Sequence, residues 1–262
     1  MAALFDALGS ARVFDLEQLR YAGAPSHPAH QPGFNYFLHR QHAPGATEPR
    51  TGASGLVVMP EHSGTHIDAL AHQAENLTLH GGVHIDSTVQ TSAGFRVLGI
   101  ETMAPLVKRG VLLDVAGAGR LPPDHSITVE ELERAENAAH VEIAAGDVVL
   151  VRTGFGTLWS NPPEYLKGAG VSAAGSRWLI DKKVSAVGAD NMAWDVIGPT
   201  DPELGVTLPG HILLLVRAGI PIIENLNLED LAAAGVHEFV FVCLPLKMRG
   251  ATGSPVRPIA IA

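Results

Sequence analysis

Six short runs of Val, Ile, Leu and Phe, at residues 56–59, 111–115, 148–152, 184–189, 221–224 and 239–244, constrain this chain more than any other feature. Runs of this length, often bounded by turn residues, read as buried strands. Stretches with helical spacing lie among them, at 128–138, 172–182, 210–218 and 228–234. The first opens with Thr128 as N-cap and Glu131 three residues on, a capping-box pattern. Strands mixed with helices predict an α/β chain with a sheet covered by helices. No repeat and no Pro/Gly/Ser linker divides the chain, so residues 1–262 are expected to form one domain. Residues 22–50 differ from the rest, with Pro25, Pro28, Pro32, Pro44 and Pro49, four histidines, and aromatics at Phe34, Tyr36 and Phe37. A loop of that length within a compact chain is more often functional or disordered than idle.

Composition removes several functional classes. Thirteen histidines stand against the single Cys243, which excludes an intramolecular disulfide framework, a Cys-rich structural zinc site and an iron–sulfur cluster. A formal charge of −9, with no basic run longer than Lys182-Lys183, argues against a nucleic-acid partner. Charged residues make up 17% of the chain, below the roughly 25% usual for soluble domains, which suggests surface covered by another subunit. The greasiest stretches, 212–216 and 239–246, fall well short of the roughly 18 apolar residues a membrane span needs. The N-terminal residues 1–6 do not resemble a secretory leader, so the expected location is cytoplasmic, with no membrane partner.

The chemistry concentrates between Glu61 and His72, directly after the run at 56–59 and Pro60. If the backbone stays extended, a period of two puts His62, Gly64, His66 and Asp68 on one face, with Gly64 leaving room between two imidazoles and a carboxylate. A helix would also pair His62 with His66, but Gly64 and the upstream proline disfavour it. Residues 69–74 are good helix formers, so Asp68 is expected to feed a helix start. Imidazole and carboxylate ligands suit Zn²⁺, Mn²⁺ or Fe²⁺ and leave a position open for water. His72, just past the ligands, could take or deliver a proton. One such histidine usually caps a turn or pairs with an acid; three with an aspartate in eleven residues are hard to explain that way.

Other signatures are missing from the sequence: no Gly-x-Ser-x-Gly elbow, no Gly-Lys-Ser/Thr phosphate loop and no His-Glu-x-x-His. Gly154-Phe155-Gly156 lacks the third glycine of a dinucleotide fingerprint. Cys243, inside an apolar run, reads as a buried inert thiol.

The segment His62-Ser63-Gly64-Thr65-His66-Ile67-Asp68, continuing to His72, resembles the signature of the cyclase family of metal-dependent hydrolases, which includes bacterial kynurenine formamidase and isatin hydrolase. The likeness continues through residues 110–115, 146–154, 211–226 and 250–257. It implies the swivelling β/β/α fold of that family and a homodimer or homotetramer. It also implies first-metal ligands at His62, His66 and Asp68, a second set at Asp68, His211 and Glu224, and a general acid/base at His72. On their own, Glu224 reads as a solvated strand-end carboxylate and His211 as a helix-start residue. Leu70 stands where formamidases carry a proline, and the chain is longer near its N-terminus; both features point toward isatin hydrolase or another branch.

The resulting expectation is a hydrolase using one or two divalent ions, zinc or manganese, to cleave the C–N bond of a small cyclic amide or aryl formamide. A lactonase, a polyketide-type cyclase/dehydratase and an inactive metal- or ligand-binding homologue are the alternatives. Phe34, Tyr36, Phe37, His39 and Arg40 are expected to wall the pocket for this small-molecule substrate.

Overall fold

A computed structural model describes residues 9–45 and 48–262; the N-terminal residues 1–6 and positions 46 and 47 of the 22–50 segment lie outside the described residues. Eleven strands carry the architecture discussed below: β1 (Val13–Asp15), β2 (Asn35–Arg40), β3 (Ser54–Val58), β4 (His66–Asp68), β5 (Leu106–Asp114), β6 (Val148–Arg152), β7 (Ala186–Ala189), β8 (Ile222–Glu224), β9 (Glu238–Cys243), β10 (Gly253–Pro255) and β11 (Ile259–Ile261). Nine of them form one sheet in the order β1-β11-β9-β5-β6-β7-β8-β4-β10. The central strands β5, β6, β7 and β8 run parallel, and antiparallel strands extend the sheet on both sides. The sheet is thus mixed and partly covered by helices, in the α/β class the sequence pattern predicts.

The continuous apolar runs follow from burial on both faces. In β6, Val148 and Leu150 join one core cluster with Phe14, Ile67, Phe241 and Cys243, while Val149 and Val151 join a second with Leu132, Leu179 and Leu214. That second face is covered by α1 (Val129–Ala138), α2 (Ala173–Asp181) and the π-helical segment Ile212–Ala218. Helix α1 starts as its sequence requires: Thr128 Oγ1 accepts from the Glu131 amide at 3.3 Å, and Glu131 Oε2 accepts from the Thr128 amide at 2.9 Å. Strand ends are tied by charge. Arg152, the last residue of β6, donates to Asp114 at the end of β5 (2.8 Å), to Glu229 (2.7 and 3.0 Å) and to the Gly117 carbonyl (2.8 Å).

Two expectations change. The run at 56–59 does form a strand, but not a buried one: β3 pairs only with β2, and Tyr36, Phe37, Leu38, Leu56, Val57 and Val58 are all exposed on the resulting ribbon. No helix follows Asp68. Residues 69–72 form a turn, with the His72 amide donating to the Ala69 carbonyl at 2.9 Å, because tertiary contacts on both sides override the local helix preference.

Candidate metal centre

Sheet register assembles the core of the site. In β4, His66 and Asp68 share one face while Ile67 points into the apolar core. Glu224, the last residue of β8, lies directly opposite His66 in the antiparallel pair, so its carboxylate joins the same face. The extended stretch expected from His62 onward is confined to residues 66–68. Residues 61–65 form a turn instead, and His62 reaches the cluster from it. Gly64 has φ +65°, and a side chain there would strike the Arg20 guanidinium, which clamps the turn by donating to the carbonyls of Ser63 and Thr65. Gly64 is therefore needed for the turn rather than for space between the imidazoles. Gly253, facing Asp68 across β10, is required by close approach: a Cβ there would sit 2.6 Å from His62 Cε1. His211 enters from the short helical turn Pro209–His211.

The five ligand candidates converge and are buried. His62 Nδ1 lies 2.8 Å from Asp68 Oδ1. His66 Nε2 is 3.5 Å from Asp68 Oδ1 and 3.3 Å from Glu224 Oε2. His211 Nε2 is 3.7 Å from Asp68 Oδ2 and 3.3 Å from Glu224 Oε1. Each imidazole is oriented from behind through its other nitrogen. His66 Nδ1 donates to the Gly64 carbonyl at 2.8 Å, and His211 Nδ1 donates to Asp195 Oδ2 at 2.8 Å. His62 Nε2 pairs with Thr252 Oγ1 at 2.8 Å, and the threonine hydroxyl in turn donates to Glu61. An imidazole held by one nitrogen, with the other aimed at carboxylates, is the arrangement of a metal ligand and its support.

Asp68 Oδ2 and Glu224 Oε1 are buried and make no hydrogen bond. Two carboxylate oxygens left so inside a protein are expensive unless a cation completes them. The donor set of three imidazole nitrogens and two carboxylates suits zinc or manganese. His62, His66 and Asp68 offer ligand atoms within 4.8 Å of one another, and so do Asp68, His72 and His211. His72 is thus within ligand reach as well as beside the ligands.

Electrostatics follow from burial and pairing. Burial disfavours the charged His66 ring, but hydrogen bonds and charge from Asp68 and Glu224 outweigh it and push the imidazole up to about 10. His211 is raised likewise against its burial, by Asp195 and Glu224. Asp68 is held well below the usual carboxylate range, burial being outweighed by His72, His62 and His66. For His72 the balance goes the other way: burial, with the charges of His62 and His211, outweighs the attraction of Asp68 and Glu224 and takes it down to about 3. Cys243 is buried away from this chemistry, and burial pushes its thiol up to about 12.

The cluster floors a cleft of about 530 Å³. Met192, Leu208 and Ile212 give it an apolar wall, and His27 and His30 enter from the N-terminal segment. That segment does line the cleft, but through different residues from those expected. Phe34, Tyr36, Phe37 and His39 are not among the lining residues; Tyr36, Phe37 and His39 lie exposed on the β2–β3 ribbon, as does Arg40. The sequence reading also missed Asp195, which had no motif to mark it, and Thr252, which lay in the 250–257 segment without an assigned role. Backbone strain surrounds the site: Trp194 and Leu208 both have φ 54° and Asn225 has φ 56°, a region that bulky side chains rarely adopt. Asn191 holds Trp194 there, its side chain bonding both the amide and the carbonyl of that residue.

The Cyclase family model matches residues 14–196. Cyclase-like protein 3 of Oryza sativa subsp. japonica is 28% identical over 206 residues, covering 78% of this chain but 63% of that protein. The isatin hydrolase of Roseibium aggregatum is 27% identical over 214 residues, covering 78% of this chain and 73% of that protein. Among solved structures, isatin hydrolase A from Ralstonia solanacearum superposes with a TM-score of 0.79 at 25% identity, covering all of this chain and 96% of that one.

Proposed function

This chain belongs to the Cyclase family, and from that premise we propose that it is a metal-dependent hydrolase cleaving the C–N bond of a small cyclic amide or aryl formamide. The observation that carries the metal part is the pair of buried oxygens without a hydrogen bond, Asp68 Oδ2 and Glu224 Oε1, among converging imidazoles. The relative named isatin hydrolase supports an amide rather than another carbonyl substrate.

His62, His66, Asp68, His211 and Glu224 would hold one or two divalent ions, zinc or manganese, which when bound polarise a carbonyl and activate water. The chain's own residues supply the rest. Asp195, the Gly64 carbonyl and the Thr252–Glu61 pair keep the three imidazoles in place, so little reorganisation accompanies each turnover. Met192, Leu208 and Ile212 seat the apolar part of a flat substrate and thin the water around it. His72, whose ring burial keeps uncharged, would take a proton as water adds to the carbonyl and return it to the departing nitrogen. Its Nε2 is 3.2 Å from the Gln73 side-chain amide, which orients the ring.

The test is a hydrolysis panel of isatin-type lactams and N-formyl anilines, followed by absorbance after metal content is measured. Amide turnover lost on chelation and restored by Mn²⁺ or Zn²⁺ is the expected result. Turnover of lactones alone would replace this reading with the lactonase alternative. Metal loading without turnover of any of these compounds would make the protein a binding homologue.

The same reading includes a homodimer or homotetramer. A two-stranded ribbon is marginal by itself in water, and this one shows six large apolar side chains that a second copy would cover. Light scattering on the purified protein checks it; a monomer at micromolar concentration overturns it. No helix among the described residues is long and apolar enough to cross a membrane.

A further inference from the structure

A third group of ligand atoms overlaps the deep cluster and reaches the cleft mouth through His30: His30, His62 and His72 offer ring nitrogens within 4.8 Å of one another. His30 comes from the 3-10 turn Pro28–His30, in which the His30 amide bonds the His27 carbonyl at 2.8 Å and the His30 carbonyl accepts from Ser26 Oγ at 3.0 Å. Its backbone is therefore held, while its half-buried ring stacks on His62 at a centroid distance of 4.8 Å and lies 5.9 Å from His72. The three ligand groups overlap in a particular way. The mouth group shares His62 with the set His62–His66–Asp68 and shares His72 with the set Asp68–His72–His211, and those two deep sets share Asp68. An ion can therefore pass from the mouth to the floor by exchanging ligands while always keeping one it already has.

Burial makes such a path useful. His66, Asp68, His211 and Glu224 are all nearly sealed from solvent, and so is His62, which leaves His30 and His72 as the more accessible members of the mouth group; a hydrated cation must shed water before it meets a carboxylate. The mouth group holds three imidazoles and no carboxylate. It suits a borderline ion of the zinc class, and with no anionic ligand it binds more weakly than the floor, which is what a station on an entry route requires. We propose that His30, with His62 and His72, forms an entry station for a divalent transition-metal ion, from which the ion is handed inward to the deep cluster.

This rests on the metal-centre reading above, and the experiment separates the two. Metal-free full-length protein is mixed with Co²⁺ in a stopped-flow instrument, and the visible absorbance of the bound ion is followed without substrate. His30→Ala is expected to load several-fold more slowly while reaching the same final stoichiometry. His30→Asp, which keeps a ligand atom at the mouth, is expected to retain fast loading. His27→Asn, which removes a neighbouring ring that belongs to none of the three groups but keeps a side-chain acceptor for the Ala29 amide that His27 Nδ1 now caps at 3.2 Å, is expected to load like the unaltered protein. Equal loading rates for the unaltered protein and His30→Ala overturn the entry station and leave the deep site standing. Equal slowing by His27→Asn, or no rescue by His30→Asp, also overturns it, since the effect would then belong to the shape of the turn. Failure of the unaltered protein to bind Co²⁺ overturns both readings.

Discussion

Two groups of charged side chains lie at the ends of neighbouring strands, and they differ in how completely they are closed. At the ends of β5 and β6, Arg152 meets Asp114, Glu229 and backbone carbonyls, so its donors face acceptors on several sides. At the end of β8 and along β4, Glu224 and Asp68 meet imidazoles, yet each keeps one buried oxygen without a hydrogen bond, His211 Nε2 standing 3.3 and 3.7 Å from them. Both groups contain two carboxylates and opposing nitrogen donors. The first is complete as a protein structure; the second leaves two acceptor positions that a cation fits. Closure, rather than the mere presence of buried charge, separates a structural tie from a binding site.

The contrast can be broken most severely in the open group. His66→Ala or Asp68→Ala should abolish both bound metal and turnover while circular dichroism stays unchanged; full metal content by elemental analysis in either variant would show the ligand assignment to be wrong. Asp195→Asn should be milder, because it alters the support of His211 rather than a ligand. A fall of about 10- to 100-fold in metal affinity is expected, measured by competition with a chromogenic chelator. Removing the Arg152 side chain with Arg152→Ala should leave metal content alone and lower stability by about 2 kcal/mol in urea unfolding, between the values for exposed and fully buried pairs. If that variant lost metal instead, the two groups would not be separate. Thr128→Ala, far from both, should cost about 1 kcal/mol through the lost cap of α1 and nothing in activity.

Proton linkage sharpens the same comparison. In the metal-free cluster His66 is pushed up to about 10, so its ring is protonated at neutral pH and an incoming cation must displace that proton. Apparent metal affinity should therefore rise as pH rises toward about 10, with protons released on binding. Calorimetry in buffers of different ionisation enthalpy measures the release directly. Binding without proton release would mean that the neutral imidazole is already present.

Much of this was legible before any coordinates. The run at 148–152 became β6 with the same bounds, and Thr128 with Glu131 formed the cap their spacing implies. Both depend on contacts within a few residues. His62, His66 and Asp68 do converge, although the reason offered for it, an extended face from 62 to 68, holds only for 66–68. The run at 56–59 misled because apolar content does not say whether a strand finds a sheet to join; β3 found only β2. The aromatics of the N-terminal segment misled similarly. They went to the exposed ribbon or its base, while His27 and His30, a few residues earlier, took the cleft.

The sequence by itself determined the chemistry available and the class of fold. One cysteine and a spaced set of histidines restrict a metal site to nitrogen and oxygen ligands, and the apolar runs require a sheet buried on both faces. Only the tertiary structure decided which distant residues complete the site. Glu224 faces His66 because β8 and β4 pair in one register, and a slip of one residue would have turned its carboxylate to the other side. Asp195 found His211 across 16 residues, and Thr252 found His62 across 190, through contacts that no local pattern marks. Periodicity and residue type are local properties and can be read from the chain directly. Register and cross-chain pairing are set by how the whole core packs, and no window of the sequence contains that.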